Sequence, residues 1–274
     1  MGNDFILFDE RDRQDVRMAE KLQSVQWKAY VEKLCDRHRG IGADGVLILM
    51  KNNTQIAEML IFNSDGSQSQ ICLNGIRCCA HHIYLQNADD KRIAIKAGKQ
   101  IVENEIVSGD NSLRIMTRIS SPTYERSLSI ETTDRILNGH CVDVGNPHFV
   151  VFEKNELSWL TRNGGQIESH TAFPQKTNVE FVWPEMGGEP LTYHILVYER
   201  GCGITLSCSS GAAAITKAMH HLGMIQAEQR VNLLMLGGLI ECRMSSNGQV
   251  SLLGCAERIF CGEMANHDGI ETIL

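Results

Sequence analysis

Residues 198–211 read Tyr-Glu-Arg-Gly-Cys-Gly-Ile-Thr-Leu-Ser-Cys-Ser-Ser-Gly, and the alanines 212–214 follow without a break. The apolar run 192–199 predicts a strand, the glycines predict a loop, and the alanines predict a helix whose first turn begins at Cys208. A cysteine at the start of a helix lies among unpaired backbone N–H groups at the positive end of the helix dipole, and both features favour the thiolate. The stretch therefore predicts a reactive sulfur.

The same arrangement occurs once more, about half a chain length upstream. Residues 60–75 give an apolar strand, a polar glycine loop and the sequence Cys72-Leu73-Asn74-Gly75, and a helix of mostly small residues is predicted over 76–85. Each half of the chain thus presents a cysteine at a helix N-terminus. The matched pair indicates an internal duplication with a site at the interface of the two halves, acting from two sides.

Composition limits the class of protein. The chain has 274 residues, enough for two domains, and it is 43% hydrophobic and 22% charged, as ordinary globular proteins are. A net charge of −7 argues against a nucleic-acid partner. We find neither an apolar run of about 18 residues nor a charged-then-apolar leader, so we expect no membrane association and a cytoplasmic location.

The cysteine pattern speaks against both disulfides and metal. Ten cysteines occur without a secretory signal, so we expect reduced thiols. The chain has no Cys-x-x-Cys pair, and Cys78 and Cys79 are adjacent, which is a poor spacing for zinc ligands. We therefore expect no metal site.

The rest of the chain is rich in predicted strands. One further helix is expected from the apolar face of Trp27, Tyr30, Val31, Leu34 and Cys35, with its end at Gly40. Each half then reads as many strands around one central helix, which is an α+β pattern and not an alternating βαβ pattern. The predicted strands are 4–8, 46–50, 57–62, 92–97, 101–107, 112–118, 139–144, 148–153, 177–183, 192–199, 230–236, 239–244, 250–253 and 257–261.

Two cysteines on either side of one carbon atom can invert its configuration. One thiolate removes the α-proton of an amino acid and one thiol returns a proton to the opposite face, a reaction that needs no cofactor. The helix starts at Leu73-Asn74 and at Ser209-Ser210 offer backbone N–H groups for the substrate carboxylate. Side-chain amides near turn glycines can hold a polar substrate; they are Asn3, Asn63, Asn146 and Asn178.

Along nearly its whole length the sequence resembles the diaminopimelate epimerase family. The resemblance implies two pseudosymmetric halves, each a curled and mostly antiparallel sheet around a central helix, with the active site in the cleft between them. It also implies a homodimer that uses no pyridoxal phosphate and no metal. The segments that carry it are 2–5, 40–45, 62–67, 72–75 with 77–78, 145–148, Asn178, 198–201, 208–211 and 256–258.

The resemblance also implies roles for individual residues. Cys72 and Cys208 would be the proton-transferring pair, with His148 and Glu199 as polarising partners beside them. The expected halves are 1–118, completed by 264–274, and 119–263. The side chains implied to bind the substrate are those of Asn3, Asn63, Asn146, Asn178 and Arg200.

Two departures from the family pattern bear on the substrate. Leu73 and Ser209 stand where the family has glycine after each catalytic cysteine, and Leu73 adds bulk and rigidity at the anion site. The expected reaction is the interconversion of LL- and meso-diaminopimelate, a precursor of lysine and peptidoglycan. Two alternatives stay open: a racemase of another amino acid on the same fold, and a non-catalytic paralogue that binds an amino acid or a partner.

Overall fold

The computed structural model describes residues 2–12, 22, 24–51, 56–69, 71–108, 113–187 and 191–263. They form two compact units. The first, here the N-terminal unit, contains Asn3–Ile106 and the described residues from Ala256 onward; the second, the C-terminal unit, contains Val107–Cys255 with Gly2. The expected halves 1–118 with 264–274 and 119–263 stay a prediction, because residues 264–274 lie outside the described part of the chain.

The described part of the N-terminal unit holds a mixed sheet and two helices. Its strand order is β1-β2-β3-β5-β6, with β4 paired to β3. The pairs β1/β2 and β3/β5 are parallel and the other pairs are antiparallel. The elements are β1 (Phe5–Asp9), α1 (Val25–Cys35), β2 (Gly45–Lys51), β3 (Ala57–Asn63), β4 (Gln68–Ser69), α2 (Leu73–Gln86), β5 (Arg92–Ala97) and β6 (Gln100–Ser108), within which the first unit ends.

Helix α1 buries the apolar face that the sequence predicts. Ser24 caps it by accepting a hydrogen bond from the backbone N–H of Trp27 at 3.1 Å. Trp27 is 1% exposed and meets the ring of Phe62 edge to face. The helix ends at Cys35 and not at Gly40, because Asp36 takes an extended backbone and its carboxylate accepts from the next N–H groups.

In the C-terminal unit the described residues form a longer sheet and two helices. Its strand order is β7-β16-β15-β14-β12-β11-β10-β9-β8, with β13 paired to β12, and the pairs β10/β11 and β12/β14 are parallel. The elements are β7 (Leu113–Ile119), β8 (Thr123–Glu131), β9 (Ile136–Asp143), β10 (Pro147–Val151), α3 (Leu157–Glu168), β11 (Asn178–Pro184), β12 (Thr192–Glu199), β13 (Gly203–Ile204), α4 (Ser209–His221), β14 (Arg230–Met235), β15 (Gly238–Met244) and β16 (Val250–Cys255).

Helix α4 is the central helix of this unit, as the alanine run predicts. Ala212, Ala213 and Ala214 have no exposed surface, and the helix packs against β9, β10, β11, β15 and β16. Side chains of one carbon let the helix axis approach the strands closely. The α+β fold class is confirmed.

Several elements differ from the sequence-based expectation. Helix α3 was not predicted; within it Gly164 lets the ring of Tyr198 approach, since an added Cβ would lie 2.1 Å from Tyr198 Cδ2. Strand β8 was also missed. The strand predicted at 257–261 is wrong: those residues are irregular, and Ile259 and Phe260 are exposed.

Candidate active site

Cys208 forms the centre of what we call the C-terminal half-site. It is the N-cap of α4, as predicted, and its Sγ accepts a hydrogen bond from the backbone N–H of Gly211 at 3.3 Å. The hydroxyl of Ser210 lies 3.3 Å from the same sulfur. The residue is only 3% exposed, so α4 begins inside the unit.

The surroundings of Cys208 favour the thiol over the thiolate. Burial raises the pKa of Cys208 well above the ordinary thiol value, and the negative charges of Glu199 and Glu180 raise it further. The hydrogen bonds from Ser210 and Gly211 act in the opposite direction but are outweighed. The expectation of a thiolate, which considered only the helix start, is therefore wrong for Cys208, because it left out burial and the two carboxylates.

Glu199 stands beside this cysteine, as expected. It ends β12, where it pairs with Gly203 of β13. Its carboxylate accepts a hydrogen bond from Thr205 Oγ1 at 2.5 Å and another from the thiol of Cys208. Burial raises the pKa of Glu199, so this side chain is suited to exchange a proton with the sulfur.

His148 meets an acid that the sequence reasoning did not single out. The Nδ1 atom of His148 lies 2.6 Å from Oε1 of Glu180, and both side chains are completely buried. Its Nε2 atom lies 3.1 Å from Oδ1 of Asn146. The parallel pairing of β10 with β11 sets His148 opposite Asn178, and Glu180 follows two residues later on the same face.

One glycine leaves room for the carboxylate of Glu180. A Cβ on Gly211 would lie 2.7 Å from Glu180 Oε1, so a side chain at this position of α4 would collide with the carboxylate. The signal that could have revealed Glu180 is its setting in β11, where a charged residue stands in a run that is otherwise buried and apolar. Such a residue inside a sheet is rarely there for packing alone.

Asn178 and Arg200 fasten the loop that precedes Cys208. Asn178 Nδ2 donates to the carbonyl of Pro147 at 2.9 Å, and its Oδ1 accepts from the backbone N–H of Arg200 at 3.0 Å. The Arg200 side chain is exposed and donates to the carbonyl of Gln175. Their expected contact with a substrate stays a prediction.

The N-terminal half-site is built around Cys72 with the same local geometry. Cys72 is the N-cap of α2, and its Sγ accepts from the backbone N–H of Gly75 at 3.4 Å. The backbone angles of the two cysteines nearly coincide: φ is −141° at Cys72 and −131° at Cys208, and ψ is 108° at both. The predicted repetition of a cysteine cap is therefore present in both units.

Amides and a guanidinium continue this half-site. Asn74 Nδ2 donates to Asn3 Oδ1 at 2.6 Å, and Asn3 Nδ2 donates to a carboxylate oxygen of Asp44 at 3.1 Å. Arg77, which is 1% exposed, donates to Asn74 Oδ1 at 3.0 Å. Asn63 organises the adjacent turn, because its Nδ2 donates to Ser67 Oγ at 3.0 Å. Asn3 and Asn74 thus meet, and Arg77 joins them; the expected contact of the two asparagines with a substrate stays a prediction.

The two residues that replace family glycines fit without backbone strain. Leu73 and Ser209 are the first helical residues after their cysteines, and both are buried. Among the described non-glycine residues only Lys176 and Glu228 have positive φ, so neither replacement stands in a conformation that requires glycine.

Three global features complete the description. All ten cysteines are thiols in the structure. Within the described ranges, no group of three or more His, Cys, Asp or Glu side chains is placed to hold a metal ion. None of the described helices is long and apolar enough to cross a membrane.

Comparisons with known proteins show which family the chain resembles. The sequence profile described as "Diaminopimelate epimerase" matches residues 1–118 and 140–259. Diaminopimelate epimerases of Prochlorococcus marinus strain NATL1A and Carboxydothermus hydrogenoformans are 34% and 33% identical, each over 96% of this chain and 96% of theirs. Among solved structures, a probable proline racemase from Agrobacterium radiobacter has a TM-score of 0.70 at 11% identity, covering 92% of this chain and 84% of its own.

A second solved structure extends the likeness in fold. A Bacillus anthracis phenazine biosynthesis protein of the PhzF family has a TM-score of 0.66 at 13% identity, covering 93% of this chain and 91% of its own. The chain thus shares its fold with a probable proline racemase. This fold and the relatives named diaminopimelate epimerase show that the chain is an isomerase. The chain belongs to the diaminopimelate epimerase family.

Proposed function

We propose that this protein interconverts LL- and meso-diaminopimelate, in the synthesis of lysine and of a peptidoglycan precursor. The observation that carries the proposal is the repeated cysteine cap, with nearly equal backbone angles at Cys72 and Cys208, in a chain of this family. The same proposal includes four further points: the substrate is a small amino acid, the reaction uses no cofactor, the protein is a homodimer, and it is located in the cytoplasm.

The proposed mechanism transfers one proton at each cysteine. A thiolate takes the α-proton, so a C–H bond breaks and an S–H bond forms. The other thiol then gives its proton to the opposite face of the carbanion, which inverts the carbon and leaves the second sulfur as thiolate. The surroundings of Cys208 favour its thiol. When the reaction starts with Cys208 as the thiol, Cys208 is therefore the acid and Cys72 is the base. The roles exchange in reverse.

The remaining residues lower the energy of the carbanion. Backbone N–H groups in the first turns of α2 and α4 donate hydrogen bonds to the α-carboxylate, which carries added negative charge in the transition state. Glu199 takes part through its hydrogen bond with the thiol of Cys208 and holds that sulfur in place. The asparagines and Arg200 bind the distal polar groups.

The racemase alternative has one observation in its favour. Leu73 places a buried branched side chain in the first turn of α2, where it reduces the room next to the carboxylate. An amino acid with a different shape near its α-carbon would then fit better than diaminopimelate. The non-catalytic paralogue is the third possibility, and retention of both cysteine caps speaks against it.

The deciding experiment is exchange of the α-proton in D₂O under reducing conditions. LL-diaminopimelate and a panel of L-amino acids are followed by NMR and by chiral chromatography. Exchange with inversion on diaminopimelate supports the proposal. Exchange on another amino acid alone selects the racemase, and no exchange on any compound selects the binding paralogue.

A further inference from the structure

The carboxylate of Glu180 is buried at a cost that packing does not explain. Its side chain and that of His148 have no exposed surface, and they meet at 2.6 Å. Within the described part of the chain, the second carboxylate oxygen, Oε2, is buried and has no hydrogen-bond partner. An apolar residue of similar volume would avoid the desolvation of the charge and of this oxygen. A role other than stability accounts for the residue.

His148 connects Glu180 to Asn146. Oδ1 of Asn146 faces Nε2 of the imidazole at 3.1 Å, so Nε2 carries a proton and donates it to that oxygen. The proton between Nδ1 and Glu180 Oε1 completes the chain of hydrogen bonds. Because the amide oxygen of Asn146 is held by the ring, its NH₂ group points to the other side. Asn146 therefore presents donors, which suit an anionic group.

We propose that Glu180 is a positioning residue: through His148 it fixes the Asn146 amide so that the NH₂ group faces a carboxylate of the amino-acid substrate. This inference rests on the proposed function and adds to it a residue that does not touch the substrate. Without a carboxylate at Nδ1, the ring can take the other tautomer, and Nε2 then accepts a hydrogen bond. The Asn146 amide would turn over and present its oxygen to the substrate.

A double-mutant cycle between Glu180 and Asn146 tests the connection. Glu180→Gln removes the charge at nearly constant volume, and we expect KM to rise about tenfold, because a binding contact is lost. The value of kcat changes separately, because the charge of Glu180 also raises the pKa of Cys208. In the Asn146→Ala background the same change should have no further effect on KM. An equal rise of KM in both backgrounds, or a KM that Glu180→Gln leaves unchanged, would overturn the inference.

A matched control separates the buried pair from carboxylates in general. Glu58→Gln removes another partly buried carboxylate, one that accepts a hydrogen bond from Lys96 at 2.9 Å in the N-terminal unit. We expect KM to stay at the wild-type value in this variant. A rise similar to that in Glu180→Gln would show that the effect is general and overturn the inference.

A spectroscopic readout keeps the test independent of turnover. In protein labelled with ¹⁵N-histidine, the His148 ring, assigned with His148→Gln, should show N–H protons at both nitrogens. Glu180→Gln should remove the Nε2 N–H signal, because Nε2 then accepts a hydrogen bond, and Glu180→Asp, which keeps the charge, serves if the first variant does not fold. A ring spectrum unchanged by both variants overturns the inference. If the wild-type protein exchanges no α-proton, the proposed function fails. The ring spectrum still shows whether Glu180 fixes the protonation of the His148 ring.

Discussion

The two half-sites share a local structure and differ in charge. Cys72 and Cys208 cap their helices with nearly the same backbone angles, and each sulfur accepts from the glycine three residues later. Around Cys208 stand two acids, whereas the helix of Cys72 continues with Asn74 and the buried Arg77. The comparison teaches that a repeated motif fixes where each sulfur lies, while neighbours from other strands set its proton affinity.

The largest expected effect is the loss of inversion when either sulfur is removed. Cys72→Ala and Cys208→Ala should each lower the rate of inversion about a thousandfold or more, because each cysteine serves one face of the α-carbon. The decay of the circular dichroism of LL-diaminopimelate measures inversion, because the meso product is achiral, and unchanged unfolding curves control for folding. Near-normal turnover in either variant would contradict the two-base mechanism.

Glu199→Gln tests whether the charge around Cys208 sets the pKa of its thiol. The negative charge of Glu199 raises the pKa of Cys208, so its removal lowers that pKa and increases the thiolate fraction at a given pH. We expect the alkylation profile of Cys208 to move to lower pH, while turnover falls about a hundredfold. Mass spectrometry reports the alkylation, with exposed Cys255 as internal reference. A profile that moves to higher pH would disprove the assigned role of this charge.

The matched glycines of the two caps should differ in their tolerance of a side chain. A Cβ on Gly211 would lie 2.7 Å from the buried Glu180 carboxylate, whereas one on Gly75 would lie 2.9 Å from a methyl group of Leu47. A leucine side chain can adjust more easily than a carboxylate held by His148. We expect Gly211→Ala to cost about 2 kcal/mol and Gly75→Ala about 1 kcal/mol in the free energy of unfolding. Urea denaturation measures both, and the reverse order would refute the comparison.

Ser210→Ala should give the smallest effect, and it should change the pKa of Cys208 in the direction opposite to that of Glu199→Gln. The Ser210 hydroxyl, 3.3 Å from the sulfur, lowers the pKa of Cys208, so its loss raises that pKa. We expect alkylation of Cys208 at fixed pH to slow about threefold, since a neutral hydrogen bond of modest strength is lost. Cys72 in the same protein provides the control, because its rate should not change.

The sequence by itself determined the two cysteine caps, the central helix α4 and the α+β class. These features depend on residues that are close in sequence: a cap and its N–H donor are three residues apart, and a run of small residues makes a helix that can be buried. The sequence also pointed to His148 and Glu199, through the resemblance to the family. Helix α3 was not predicted. It contains two adjacent glycines, which are unfavourable inside a helix, and only the tertiary structure shows that the ring of Tyr198 packs against them.

Only the tertiary structure decided the partner of His148 and the charge state favoured at Cys208. Glu180 reaches His148 through the parallel pairing of β10 with β11, which joins residues far apart in the chain, and no local pattern specifies such a pairing. Burial and the charges of Glu180 and Glu199 then outweigh the helix start in setting the pKa of Cys208. The physical reason is that capping is a local interaction, whereas desolvation and Coulomb energy depend on everything folded around the sulfur.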